Sequence, residues 1–368
     1  MGFMPERLRD IRILNGYTVE RVADYLGISK QAVSKYENGS AIPSVDILNR
    51  LMEFFSLPSG YLSRSEVIPE KKSGVFYRKV SRTSQKDMDK VQVCIKWFYE
   101  MIQESRKYGY DKLSNFPQMT SAQTIEEKAH ALRNAWGLKA QPIGDLVPLL
   151  EMHGFFIFTV DLKESKIDGA FQCLDDIPII IINAAKGSRE RRNFSLAHEL
   201  GHLVLHSSLE NLANEQMEQE ADLFAACFLM PEEALKREML RFDIDSLTMF
   251  AEKWNVSPHA VLKRCAELNL LDGNEEEKKA HIDYLFKKLN KKANYYIAEE
   301  RMICTLKNFL EEIDKDEIKR TDYLDKLCFP VKEVQKLCQM PEIFQQYHAN
   351  ASKEQIQDMD GVQLSFIY

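Results

Sequence analysis

Apolar residues recur along residues 5–62 at helical spacing, broken at short intervals by proline, glycine and asparagine. Pro5 opens a first helix that ends near Asn15-Gly16. Thr18 is a suitable N-cap for a second helix over 18–26, and Gly27 makes the turn after it. Ser29 caps a third over 29–37, ended by Asn38-Gly39, and Pro43-Ser44 starts a fourth that runs to about Phe55. Pro58 begins a fifth. The expected core is Leu8, Ile11, Val22, Leu26, Ile28, Val33, Tyr36, Ile47, Leu48, Leu51 and Leu57. Two helices joined by a tight glycine turn, the second presenting lysine and glutamine, predict a helix-turn-helix.

The pattern then changes. Residues 63–83 are polar and basic, which predicts a solvated linker with an extended piece around Val75-Phe76-Tyr77. Val91, Ile95, Phe98 and Ile102 predict a long helix over 84–108, suited to joining domains or to dimerisation. A second linker follows, with Pro117 near its middle. Helices are expected over 124–136 and 143–153, then strands over 154–160, 167–173 and 177–183, with Asp175-Asp176 as a hairpin turn. This is a short antiparallel sheet, to whose edge a peptide could add itself as a strand. Beyond residue 273, Asn274 to Lys279 is a charge run that reads as a solvated linker. Leu285 to Leu310 reads as helical, with Tyr295 and Tyr296, and Pro330 and Pro341 break later helices. The fold class is therefore mainly α with a small antiparallel sheet, α+β overall.

The chemistry concentrates in Phe194-Ser195-Leu196-Ala197-His198-Glu199-Leu200-Gly201-His202-Leu203-Val204-Leu205-His206, which contains H-E-x-x-H. Residues four apart share a helix face, so His198 and His202 can offer two imidazole nitrogens to one metal ion. Glu199 stands beside them as a general base, the zinc-peptidase pattern. The apolar flanks bury this helix, and buried His and Glu need partners. A catalytic zinc takes three protein ligands. The next apolar segment, stopped by Pro231, supplies two candidates for the third, Glu218 and Glu220. Glu218 shares a face with Asp222, which could hold a ligating histidine by its second ring nitrogen, so Glu218 is expected and Glu220 is the alternative. His206 has turned about 80° away from His198, which suits a helix end better than a fourth ligand.

A net charge of -7 neither indicates nor excludes a nucleic-acid partner, since a local patch decides. No apolar run is long enough to span a bilayer, and MGFMPERLRD has no signal-peptide core. Seven cysteines, scattered and without a C-x-x-C pair, read as reduced thiols in a cytoplasm.

Two resemblances follow. Thr18-Val19-Glu20-Arg21-Val22-Ala23, Leu26-Gly27-Ile28-Ser29-Lys30-Gln31-Ala32-Val33-Ser34-Lys35-Tyr36-Glu37-Asn38-Gly39 and Pro43-Ser44 closely resemble the XRE (Cro/repressor-like) DNA-binding domains. That implies a recognition helix over 29–37, with Ser29, Lys30, Gln31 and Lys35 toward bases, and Ser34 and Thr18 toward phosphates of a double-stranded operator bound by a homodimer. Pro178 to Asn183, Arg192 to His202, Glu218-x-Glu220-Ala221-Asp222-x-Phe224-Ala225, Leu229-Met230-Pro231 and Trp254 to Val261 resemble the ImmA/IrrE metallo-endopeptidases. The family often has Asn where this chain has Asp222.

The resemblance implies a zincin-like, zinc-dependent protease that cleaves XRE-type repressors, with zinc on His198, His202 and Glu218 and Glu199 as base. The expected domains are 1–65 (helix-turn-helix), 66–122 (linker and long helix), 123–272 (peptidase) and 273–368 (helical, of no assigned role). The expected function is a DNA-binding regulator with zinc endopeptidase activity toward a repressor. The alternative is a repressor or antitoxin that cuts nothing and uses the peptidase fold as a sensor.

Overall fold

The computed structural model describes residues 2–70, 76–79, 84–110, 124–162, 165, 167–184, 188–206, 215–291 and 303–347. Val75, Pro117, Tyr295 and Tyr296 lie outside the described residues. The chain divides into two units. One comprises the described residues of Met1–Val67, Lys96–Asp111 and Leu306–Tyr368, the other those of Ile68–Ile95 and Lys112–Thr305.

The first unit begins with α1 (Pro5–Leu14), α2 (Val19–Leu26), α3 (Lys30–Glu37) and α4 (Val45–Phe55). The hydroxyls of Thr18, Ser29 and Ser44 accept from the backbone N–H three residues on, which starts α2, α3 and α4 at the expected caps. Gly27 adopts φ +65° between α2 and α3, a backbone that β-carbons resist. The helix expected after Pro58 is only a 3-10 turn, Tyr61–Ser63. Leu8, Ile11, Val22, Leu26, Val33, Ile47 and Leu51 form the core as expected. Ile28, Tyr36, Leu48 and Leu57 are half-buried instead, while Leu14, Phe55, Tyr61 and Leu62 join the interior.

The long helix α5 (Gln85–Arg106) is buried on more than one face. Cys94, Trp97 and Met101 are as enclosed as Val91, Ile95, Phe98 and Ile102, and so is Glu100. In the first unit Glu100 takes both guanidinium ends of Arg7, at 2.9 and 2.8 Å, with Arg64 at 3.3 Å. Phe329 stacks on Trp97 at 4.1 Å, and Arg7 and Arg64 each lie 5.5 Å from its ring. Phe329 falls between the second and third of the helices Lys307–Lys315, Glu317–Leu327 and Val331–Cys338. The solvated linker expected from residue 63 thus begins later: Arg64 is engaged with Glu100, and Glu66 and Asp10 both pair with Lys96.

The second unit holds a four-stranded sheet in the order β1-β3-β4-β2. Its strands are β1 (Phe76–Lys79), β2 (Phe156–Val160), β3 (Ile167–Leu174) and β4 (Ile177–Asn183). The sheet is mixed, not antiparallel throughout. β3 and β4 form the expected hairpin, with Asp175 and Asp176 both at positive φ, but β4 is parallel to β2. The reason lies in β4: seven consecutive positions are buried, the signature of a strand covered on both faces and paired on both sides. Pro178 is tolerated because the pairing with β2 begins only at Ile179.

Around the sheet lie α6 (Ile125–Ala135), α7 (Leu146–Met152), α8 (Arg189–His206) and α9 (Glu215–Leu229). They are followed by α10 (Glu232–Glu238), α11 (Ile244–Trp254), α12 (Pro258–Glu267) and α13 (Glu275–Lys291). Arg189, Arg191 and Arg192 lie in the first turn of α8. The charge run after Asn274 is no linker: Glu275, Glu276 and Glu277 make the first turn of α13, where carboxylates suit the helix dipole. Nor is Leu285 to Leu310 one helix, since residues 303–305 lie extended along β2. Among the described residues no helix is long and apolar enough to cross a membrane.

Candidate metal centre and recognition helix

Helices α8 and α9 meet where both are small. A β-carbon on Gly201 would stand 3.2 Å from the Ala221 backbone and 3.2 Å from Phe224. That close approach places the turn of α9 on each side of Ala221, carrying Glu218 and Asp222, against the histidines of α8. His198 and His202 are almost fully buried, and their Nε2 atoms lie 3.1 Å apart. Glu218 brings one carboxylate oxygen to 3.3 Å from His198 Nε2 and the other to 3.4 Å from His202 Nε2. One ligand atom from each of the three falls within 4.8 Å of the others.

Hydrogen bonding behind the ring nitrogens fixes what they present. Asp222 Oδ1 lies 2.8 Å from His198 Nδ1 and can only accept, so Nδ1 carries the proton and Nε2 a lone pair. On the other side Glu220 Oε2 lies 2.9 Å from His206 Nε2, and His206 Nδ1 lies 3.1 Å from His202 Nδ1. Glu220 accepts from His206 Nε2–H, which leaves His206 Nδ1 facing His202 Nδ1. Burial pushes the His202 imidazole down to about 4, against the pull of Glu218, so it is neutral near pH 7. Burial pushes Glu218 up, but its bonds to His198 and His202 outweigh this and hold it at about 2. Two imidazoles and a carboxylate thus converge, the donor set that a His2Glu cation site requires.

Glu199 is completely buried on the next position of α8. Its carboxylate lies against β3 at Gly169, where a β-carbon would come within 2.8 Å of Oε1. Sequence reasoning passed over Gly169, although a glycine inside an apolar strand is a signal of close approach. His206 is the last residue of α8, the helix end expected of it, and its ring also links Glu220 to His202. Glu220 is placed on His206 and is not among the three residues that converge. Asn193, buried at the start of α8, accepts from Leu146 N–H and donates to Gly144 O, tying that helix to α7.

In the first unit, Lys30, Gln31, Ser34 and Lys35 form one exposed side of α3, with Val33 beneath them. Lys30 makes an exposed pair with Glu20 at 3.4 Å. The hydroxyls of Thr18 and Ser29 accept the capping bonds of α2 and α3, at those helices' N-terminal ends. Arg12 and Glu37 pair twice, at 2.5 and 2.7 Å, fixing the end of α3 on α1.

Residues 8–62 match the helix-turn-helix family, and residues 150–266 match the family described as IrrE N-terminal-like domain. The chain therefore joins a helix-turn-helix domain to an IrrE N-terminal-like domain. Over 57 residues it is 39% identical to the SPbeta prophage-derived uncharacterized HTH-type transcriptional regulator YonR of Bacillus subtilis, covering 16% of this chain and 53% of that protein. Over 53 residues it is 42% identical to a Pyrococcus furiosus protein named as an HTH-type transcriptional regulatory protein, covering 14% of this chain and 17% of that one. The chain thus spans about half or less of the curated relatives it matches. A Mycobacterium tuberculosis transcriptional regulator of known structure matches with a TM-score of 0.30 and 21% identity, over 45% of this chain and 52% of that chain.

Proposed function

We propose that a chain joining these two domains is a DNA-binding transcriptional regulator with a zinc-dependent endopeptidase, whose substrate is an XRE-type repressor protein. The observation that carries the peptidase is the convergence of His198, His202 and Glu218, with Glu199 buried beside them. A site that only gripped a metal would not need a fully enclosed carboxylate at that position.

His198, His202 and Glu218 would hold zinc, which supplies Lewis-acid activation when bound. Asp222 and His206 orient the two imidazoles through their Nδ1 atoms. Glu199 takes the proton of the attacking water and returns it to the leaving amine. Its enclosure by β3 at Gly169 keeps the carboxylate in place for both transfers.

On the DNA side, Ser29, Lys30, Gln31 and Lys35 read base edges of a double-stranded operator, and Ser34 and Thr18 meet its backbone. A homodimer on a two-fold site follows from the geometry of helix-turn-helix readers. The exposed face of α3 and the likeness to proteins named as regulators support this reading.

The test is to load the full chain with zinc, mix it with XRE-type repressors encoded beside it, and follow their intact masses. Cleavage by the wild type but not by Glu199→Gln supports the proposal. Intact repressors in both would leave a non-proteolytic regulator.

A further inference from the structure

The three strands β3-β4-β2 offer a peptide two edges, and each carries a further segment of this chain. On the β2 edge, Thr159 N–H donates to Ile303 O at 2.8 Å and Thr305 N–H to Ile157 O at 3.1 Å. On the other edge β1 pairs antiparallel with β3, Phe76 opposite Phe171, Tyr77 opposite Ala170 and Arg78 opposite Gly169. That second edge is the one beside the candidate centre. Gly169 is the residue whose missing side chain leaves room for Glu199, and α8 packs against both β3 and β1.

A peptide to be cut must bring an extended backbone near Glu199. Adding it as a strand on the neighbouring sheet edge satisfies its N–H and C=O groups and sets its register. The position such a strand would take, outside β3 and level with Gly169, is the position of β1. We infer that the outer edge of β3 is the peptide-docking site of this domain, and that Phe76–Lys79 is its resident occupant, a segment of the same chain that competes with incoming peptides.

The occupant is built to be displaced. Its register breaks between Arg78 and Lys79, where Lys79 falls opposite Ile167. A strand with an irregular ladder opens more easily than a regular one. Its covalent attachment raises its local concentration to about the millimolar range, which is what a free peptide must overcome. The sequence Phe-Tyr-Arg-Lys also names the ligand class: an extended segment in which aromatic residues precede basic ones. The inference takes the identity of the ligand as a substrate from the peptidase reading, while docking itself does not depend on it.

The experiment uses the full chain carrying Glu199→Gln, so that nothing bound is cut. The probe is a labelled synthetic peptide with the sequence of residues 73–82, SGVFYRKVSR, followed by fluorescence anisotropy. A proline cannot donate to a ladder, so Tyr77→Pro should release the edge. The peptide should bind the Tyr77→Pro protein about tenfold or more tightly than its parent, and a scrambled peptide should bind neither. A second variant, Tyr77→Gly with Arg78→Gly, loosens β1 without proline and should move affinity the same way. Circular dichroism on both variants guards against misfolding. Equal binding to parent and variants, no binding to any, or equal binding of the scrambled peptide would overturn the inference. Hydrolysis plays no part in the readout, so a chain that cuts nothing can still pass.

Discussion

His206 Nε2 and Glu220 Oε2 lie 2.9 Å apart, so Glu220 is bonded to His206. The carboxylate two positions earlier, on Glu218, meets both Nε2 atoms of the histidine pair. Glu218→Ala should therefore abolish stoichiometric zinc binding, while Glu220→Ala should retain it at reduced affinity. Metal analysis after dialysis against equimolar zinc distinguishes them. Loss in Glu220→Ala alone would reverse the assignment.

The link from Glu220 through His206 to His202 predicts a graded effect. His206→Ala should weaken zinc binding about 10–100-fold, the usual effect of losing a partner behind a ligand. Glu220→Gln, whose carbonyl oxygen can still accept from His206, should lie nearer the wild type. Competition with a chelator reads both, and melting of the metal-free proteins separates orientation from general damage.

Protons compete with zinc for histidine. Burial lowers His202 from 6.5 to about 4, so its lone pair survives to lower pH than that of an exposed imidazole. Proton competition at this ligand should set in as pH falls toward about 4, not near 6.5. Stepped-pH dialysis with zinc quantitation checks the window.

Gly169→Ala introduces a methyl group 2.8 Å from Glu199 Oε1. The carboxylate must shift, at a cost of about 1–3 kcal/mol in stability. Zinc content should stay at the wild-type level while peptide hydrolysis falls about 100-fold, since sub-ångström placement of a base governs its rate. Unchanged turnover would show that Glu199 tolerates displacement.

If α3 reads the operator as proposed, Lys30→Ala and Gln31→Ala should each reduce the preference for operator over random DNA by about 1–3 kcal/mol. Equal weakening on both DNAs would reduce these side chains to phosphate contacts. In the same unit, Arg7 and Glu100 are fully buried as an ion pair. Arg7→Ala leaves a buried carboxylate with only part of its neutralisation and should cost about 3–5 kcal/mol by thermal unfolding.

The sequence by itself determined whatever depends on neighbours along the chain. Thr18, Ser29 and Ser44 start their helices because a capping hydroxyl acts on an N–H three residues away. His198 and His202 share a face for the same reason, and Asp175-Asp176 turns a hairpin because two residues suffice for it. The tertiary structure alone decided what depends on segments far apart. The local spacing of Glu218 and Asp222 favoured Glu218, but its approach to the histidine pair came from where α9 crosses α8 at Gly201 and Ala221, a contact no local pattern encodes. The parallel pairing of β2 with β4 came from β4 needing a strand on each side, which only packing supplies. Trp97 and Phe329 stack across more than two hundred residues because burial rewards apolar area wherever the chain can bring it together.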